Sequence, residues 1–355
     1  MSSLVELTSD LVSYQTTADK PDEIVRCLDA VGRHLDPLPL VVRNFQHNGV
    51  LSRVWSTTST LTPDVFLSAH IDVVPAPPEL FQVQVDGDKM FGRGVSDMKF
   101  AVACFINSLH TVYQSTRRLP SLALMLTSDE EVGGNNGTGY LVKEVGFRPK
   151  VVIVPDGGPD NKLVEEAKGV LHLKVSAQGV SAHASRPWEG NNALNTLITA
   201  VGRAQELYPT PARSCWRTTL NIGQIHGGSQ TNQVPNLAEA RLDVRHIPHD
   251  SHDGIIRRVQ KAVAPCQVDL LVQADAFKIS RDDPYIQRWV SLLNGSRDPF
   301  IREHGASDGR FFSALGVPVI LSRPASGGIH SNDEFCHIQS LQDFNQRLTR
   351  YLLGF

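Results

Sequence analysis

The apolar residues change their spacing several times along the chain, and each change marks an element. Leu4 to Val12 and Asp22 to Leu35 carry apolar positions at helical spacing, the second introduced by Lys-Pro-Asp. Leu40 to Phe45 and Val50 to Ser56 read as strands joined around Asn48-Gly49, a dipeptide suited to a tight hairpin. Asp64 to Ala69, Ser121 to Leu126 and Val151 to Val154 are short apolar runs that predict buried strands. Phe100 to Tyr113 is apolar and long enough for a buried helix. Strands alternating with helices in this way predict a mostly parallel, helix-covered sheet.

The middle third has a different rhythm. Gly169 to Ala177 alternates as a strand, Asn191 to Leu207 reads as a helix, and Thr218 to Ile225 and Leu237 to Arg245 read as strands. Asp253 to Val263 then reads as a helix and Val268 to Val272 as a last strand. The order β-α-β-β-α-β is that of a ferredoxin-like α+β unit, which can bury its own core. It predicts an inserted domain over residues 169–276, between a first part, 1–168, and a second part, 277–355, of one catalytic α/β domain. The last part returns to helix, strand (Pro318 to Leu321) and helix.

Polar chemistry gathers where the buried strands end. His70 and Asp72 follow the first run; taken alone they read as a satisfied strand end, with Asp72 able to hold one ring nitrogen if the strand persists that far. Asp97 falls just before or within the first turn of the buried helix, a place where the helix dipole favours an acid in any case. Asp129-Glu130-Glu131 end the next strand, and three adjacent acids raise one another's pKa unless water or cations face them. Asp156 ends the fourth. Ligands bind at this edge of open α/β sheets.

Composition narrows the class. The chain has 355 residues, 41% hydrophobic and 20% charged, as in an ordinary soluble globular protein. A formal net charge of −3 gives no electrostatic case for nucleic acid or an anionic membrane as partner. Five scattered cysteines, Cys27, Cys104, Cys215, Cys266 and Cys336, never form a CxxC pair and read as buried thiols in a reducing compartment. The first residues carry acids where a secretion signal carries bases, and the expected location is the cytoplasm.

Six motifs in order then become specific: Ser-Ala-His-Ile-Asp-Val-Val-Pro at 68–75, Gly-Arg-Gly-Val-Ser-Asp-Met-Lys at 92–99, Ser-Asp-Glu-Glu at 128–131, Ser-Ala-His-Ala-Ser at 181–185, Thr-Asn-Gln-Val-Pro at 231–235, and His330. Together, over nearly the whole chain, they resemble the zinc metallopeptidase and deacylase family that includes succinyl-diaminopimelate desuccinylase, acetylornithine deacetylase, glutamate carboxypeptidase and several dipeptidases. The resemblance implies two zinc ions per subunit, replaceable by Co2+ or Mn2+, with Asp97 bridging them and a water or hydroxide between. His70 and Asp156 would complete one ion's ligands, Glu131 and His330 the other's. Glu130 would be the general base and Asp72 the partner of His70, and His183, from the inserted lid and dimerisation domain, would stabilise the oxyanion. Asn232, Arg245, Gly305, Ser307 and Arg310 would bind the substrate's carboxylate side. The ligand set suits zinc on its own terms, since imidazole and carboxylate are its common ligands and three per ion leave room for water and substrate.

The implied activity is hydrolysis of the amide bond of a small N-acyl amino acid by a homodimer. The alternatives are a dipeptidase or carboxypeptidase of the same family, or a metal-binding protein that has lost catalysis. Ser307 to Phe311 and His330 to Glu334 resemble the desuccinylase branch most. Three departures blur the substrate: Ala167-Lys168 replaces an Arg pair of that branch, Asp156 stands where deacylases usually carry Glu, and Phe81 to Gln84 is a thinned version of an aromatic and acidic element.

Overall fold

The Asn48-Gly49 dipeptide turns the chain as its chemistry requires. Both residues take positive φ (47° and 83°), and His47 pairs directly with Val50, so the loop has two residues. In the computed structural model, which describes residues 3–293 and 298–355, this hairpin forms the edge of a six-stranded sheet. The strand order is Val41–His47, Val50–Ser56, Leu122–Thr127, Val65–His70, Val151–Val154, Val319–Leu321. The last four run parallel, and the hairpin joins antiparallel.

Every residue of Val65–His70, Leu122–Thr127 and Val151–Val154 is buried, which is why these runs show no alternation. Helix Lys99–Thr116 has a long buried face and packs against helices Leu4–Ser13 and Ile338–Leu352. Ser3 and Glu6 form a reciprocal capping box at the first helix, and Pro21 opens the second, Pro21–Leu35. A small antiparallel ribbon, Ser326–Gly327, Phe335–His337, Lys89–Phe91 and Gln84–Asp86, brings residues distant in sequence side by side.

The chain divides into two units. The first holds residues 1–165, 279–301 and 307–355; the second holds 166–278 with 302–306. The second therefore also takes in a short return segment that the β-α-β-β-α-β pattern does not include. Its sheet runs Thr219–Gly227, Leu237–His246, Gly169–Gln178, Gln267–Ala274, all antiparallel. Helices Ala193–Leu207 and His252–Val263 cover one face, over a core that includes Leu173, Leu197, Leu242 and Val259.

All five cysteines are free thiols; Cys27, Cys104 and Cys336 are buried, but Cys215 and Cys266 are only half-buried, against the expectation for all five. Among the described residues no helix is long and apolar enough to cross a membrane.

Candidate functional site

The carboxyl ends of the parallel strands deliver the site. His70 is the last residue of its strand and Glu130 and Glu131 start a short turn of 3-10 helix just past Thr127. Asp156 follows Val154, and Asp97 sits two residues before helix Lys99–Thr116. His330 comes from the turn between two ribbon strands.

These side chains converge around Asp97. Its Oδ1 lies 3.0 Å from His70 Nε2, and its Oδ2 lies 3.3 Å from His330 Nε2. One carboxylate thus turns an oxygen to each of two imidazoles. His330 Nε2 also lies 3.0 Å from Glu131 Oε2. Two triads result, His70 with Asp97 and Asp156, and Asp97 with Glu131 and His330, each with its ligand atoms within 4.8 Å of one another. The five residues expected as metal ligands are brought together.

The two imidazoles are held differently. His70 is 2% exposed, and its Nδ1 donates to the backbone carbonyl of Asp72 at 2.9 Å. The Asp72 carboxylate stands farther off, at 3.5 Å from Nδ1, because the regular strand ends at His70. Asp72 Oδ2 instead accepts the N–H of Glu131 at 3.0 Å. Asp72 thus fixes two neighbours, one through its backbone and one through its side chain. The His330 side chain is about half exposed and its backbone is left-handed, with φ 63°.

Charge crowding shows in the titration of these groups. Burial pushes Glu130 well above the usual carboxylate range, helped by the charge of Asp156, and pushes Asp156 up to about 7, helped by Asp97. Glu131 is raised by burial and by Asp97. Burial opposes charge on Asp97 too, but hydrogen bonds from His330 and His70 outweigh it and hold that carboxyl well below its usual range. Burial likewise works against a charged His70, yet its bonds to Asp72 and Asp97 raise its pKa well above the ordinary value. His330 is raised first by its hydrogen bond to Asp97. A compact set of carboxylates and imidazoles that competes for protons in this way is a donor set matched to divalent cations.

Ser307 hydrogen-bonds Asp156, a candidate ligand. Arg310 is buried and directs Nη1 to Ser307 O (3.0 Å) and Nη2 to Gly133 O (2.7 Å), so its donors shape the turn that carries Ser307. The other expected residues belong to the second unit. His183 is exposed there, and its Nδ1 accepts the Ser185 N–H at 3.1 Å, which in the neutral ring leaves the proton on Nε2. Ala184 N–H donates to Asn232 O, placing Asn232 beside His183, with the Asn232 side chain exposed. Arg245 makes a bidentate contact to Asp243, at 2.8 and 3.1 Å, and Gly305 is exposed.

Sequence reasoning assigned no role to three buried charges around the site. Lys99 donates to the carbonyls of Leu11 (3.0 Å) and Tyr14 (2.6 Å), tying the start of its helix to the end of the first. Arg93 and Glu334 pair at 2.6 Å, both nearly inaccessible. The available signal was a charged residue inside a glycine-rich or apolar stretch, where it must find a partner.

The sequence model of peptidase family M20/M25/M40 matches residues 66–353. A succinyl-diaminopimelate desuccinylase of Corynebacterium glutamicum is 27% identical over 98% of this chain and 95% of its own. Among solved structures, the aminopeptidase PepT of Bacillus cereus superposes with a TM-score of 0.80 over 99% of this chain and 97% of its own, at 18% identity. The YXEP protein of Bacillus subtilis, described as a dinuclear metal binding peptidase, gives 0.70 over 99% and 97%, at 13% identity.

Proposed function

The chain belongs to peptidase family M20/M25/M40 and is a hydrolase, and from that premise we propose that it cleaves the amide bond of a small N-acyl amino acid at a two-metal centre. The observation that carries the reading is the Asp97 carboxylate, which turns one oxygen toward His70 and the other toward His330. His70, Asp97 and Asp156 would hold one ion; Asp97, Glu131 and His330 would hold the other. We take both to be zinc, with Co2+ or Mn2+ as substitutes; the description of the Bacillus subtilis relative supports two metals. When bound, the ions supply Lewis acidity toward the scissile carbonyl and acidify water.

The remaining steps belong to the chain's own groups. Glu130 takes the proton of the attacking water and returns it to the leaving amine. The Nε2–H of His183 is a donor for the developing oxyanion, acting in its own subunit or across a dimer formed by the inserted domain. Asn232, Arg245, Gly305 and Ser307 hold the substrate carboxylate, with Arg310 shaping the turn. We place the protein in the cytoplasm.

A panel of N-succinyl, N-acetyl and dipeptide substrates, run with metal analysis, tests this reading. Full-length similarity to desuccinylases favours the N-acyl substrates; Asp156, which dipeptidases of this kind tend to carry, is the feature favouring the runner-up. Turnover on none of the three classes by a fully metallated enzyme would reject the proposal.

Two variants separate the roles. His70→Ala is expected to lower bound metal to about one ion per chain by elemental analysis, since one triad loses its imidazole and the other keeps its set. His183→Ala is expected to keep its metal and lose turnover. Mixing it with Asp97→Ala subunits restores activity if His183 acts across the dimer, and confirmed heterodimers without activity assign it to its own subunit.

A further inference from the structure

We propose that Glu334, through its pair with Arg93, is the positioning residue that aims His330 and so sets the affinity of the Asp97–Glu131–His330 metal site. The inference deepens the two-metal reading and rests on it.

The ribbon brings the partners together. Phe335 pairs with Phe91, so Glu334 falls opposite Gly92, whose N–H donates to the Glu334 carbonyl at 3.2 Å. From there the carboxylate reaches across the loop that presents Asp97. Its Oε1 accepts three backbone N–H groups, from Gly94 (2.9 Å), Ser96 (2.9 Å) and Asp97 itself (3.2 Å). Its Oε2 accepts Arg93 Nη1 at 2.6 Å. Three converging amides require a sharply turned loop, and Gly94 supplies it with φ 91°, where a Cβ would lie 3.1 Å from Val73 and 3.2 Å from Lys99.

Arg93 carries the constraint onward. Its Nη2 donates to the carbonyl of Ser331, the residue after His330, at 3.2 Å. The turn is closed by Ser331 N–H and Oγ–H, which both donate to Gly328 O at 2.9 and 2.7 Å. One buried carboxylate thus binds the loop of Asp97 and, through Arg93, the loop of His330.

The two metal triads depend on this link unequally. His70 is buried and its ring is oriented by its own neighbour, the Asp72 carbonyl. His330 is half exposed, and among the described residues the hydrogen bonds and ion pairs of its ring go to Asp97 and Glu131 through Nε2; no hydrogen bond reaches Nδ1. Apart from these two candidate ligands, its direction is set by its backbone, which the Arg93 and Gly328 contacts hold at the next residue, Ser331. Groups that orient a ligand typically carry a ten- to hundredfold share of metal affinity.

Glu334→Gln tests this. The amide oxygen can still accept the three loop N–H groups, but the amide N–H2 then faces Arg93, donor against donor, and the link to His330 fails. The readout is calorimetric titration of the chelator-stripped full chain with Co2+, together with the visible spectrum of the bound ion. His330→Ala marks the binding step of its triad, and His70→Ala marks the other. In Glu334→Gln the step marked by His330→Ala is expected to weaken about ten- to a hundredfold, with altered Co2+ bands, while the step marked by His70→Ala shifts by less than about threefold. The double variant R93Q/E334Q removes the buried unpaired cation and lets the two amides bond, but it also removes the donor to the Ser331 carbonyl, so it is expected to recover stability while the step marked by His330→Ala stays weak; it also serves if the single variant does not fold. Unchanged steps, or equal loss in both steps matching a fall in Tm, would make the pair merely structural and overturn the proposal. A wild-type chain that takes up no Co2+ overturns the two-metal reading, and this inference with it.

Discussion

Glu130→Ala is expected to keep both metal ions and to lose about two to four decades of kcat, the share a positioned general base contributes. The two halves of that result come from different observations. Glu130 belongs to neither ligand triad, so elemental analysis should match the wild type. Its carboxyl is nonetheless held in the same charged cluster, raised well above its ordinary range by burial and then by Asp156. A base whose pKa is raised toward the working pH both takes a proton readily and gives it up to a leaving amine. The sign of the pH dependence follows. Glu130 acts as base only when ionised, so kcat/KM should fall as pH drops through its pKa. In Glu130→Ala that acid limb should be missing from what activity remains. A variant that turns over at near-normal rate would reject the role, and one that also loses metal would move Glu130 into the ligand set.

How much of this could be read beforehand depended on whether the signal was local. The buried strands were legible because each is a short apolar run with a polar end, and the hairpin because Asn48-Gly49 can adopt the φ values it needs. The convergence of His70, Asp97, Glu131, Asp156 and His330 could be anticipated because each sits at the end of such a run or in a motif with a known resemblance. The Arg93–Glu334 pair could not, since its members lie 241 positions apart and only the pairing of Phe91 with Phe335 aligns them. Asp72 shows a finer limit. Alternation along a strand suggested that its carboxylate would face His70, but the strand stops at His70, two residues short of Asp72. The backbone carbonyl takes that place, and the carboxylate turns to Glu131 N–H. The segment 302–306 was invisible for the opposite reason: five residues carry no periodicity, and only contacts assign them to the second unit.

Removing metal with a chelator is expected to abolish turnover, and restoring it should release protons. Among the protein's own groups, His70 is raised above its ordinary value through its bonds to Asp72 and Asp97, His330 through its bond to Asp97, Asp156 reaches about 7, and Glu131 is raised by burial. A cation needs these same atoms deprotonated, so protons should leave on full loading at pH 7. Calorimetric titration in buffers of different ionisation enthalpy counts them. Metal affinity should therefore rise steeply with pH through the neutral range. Stability follows the same linkage. Asp156 in the stripped protein has a folded pKa above its unfolded value of 3.8, so its contribution is fully present below about 4 and is lost as pH rises through about 7. The bound ion reverses that loss by stabilising the carboxylate. The gain in Tm on adding metal should thus be larger at pH 8 than at pH 5.5. A gain that is flat across this range, with no proton release, would show that these carboxylates and imidazoles do not hold the ion.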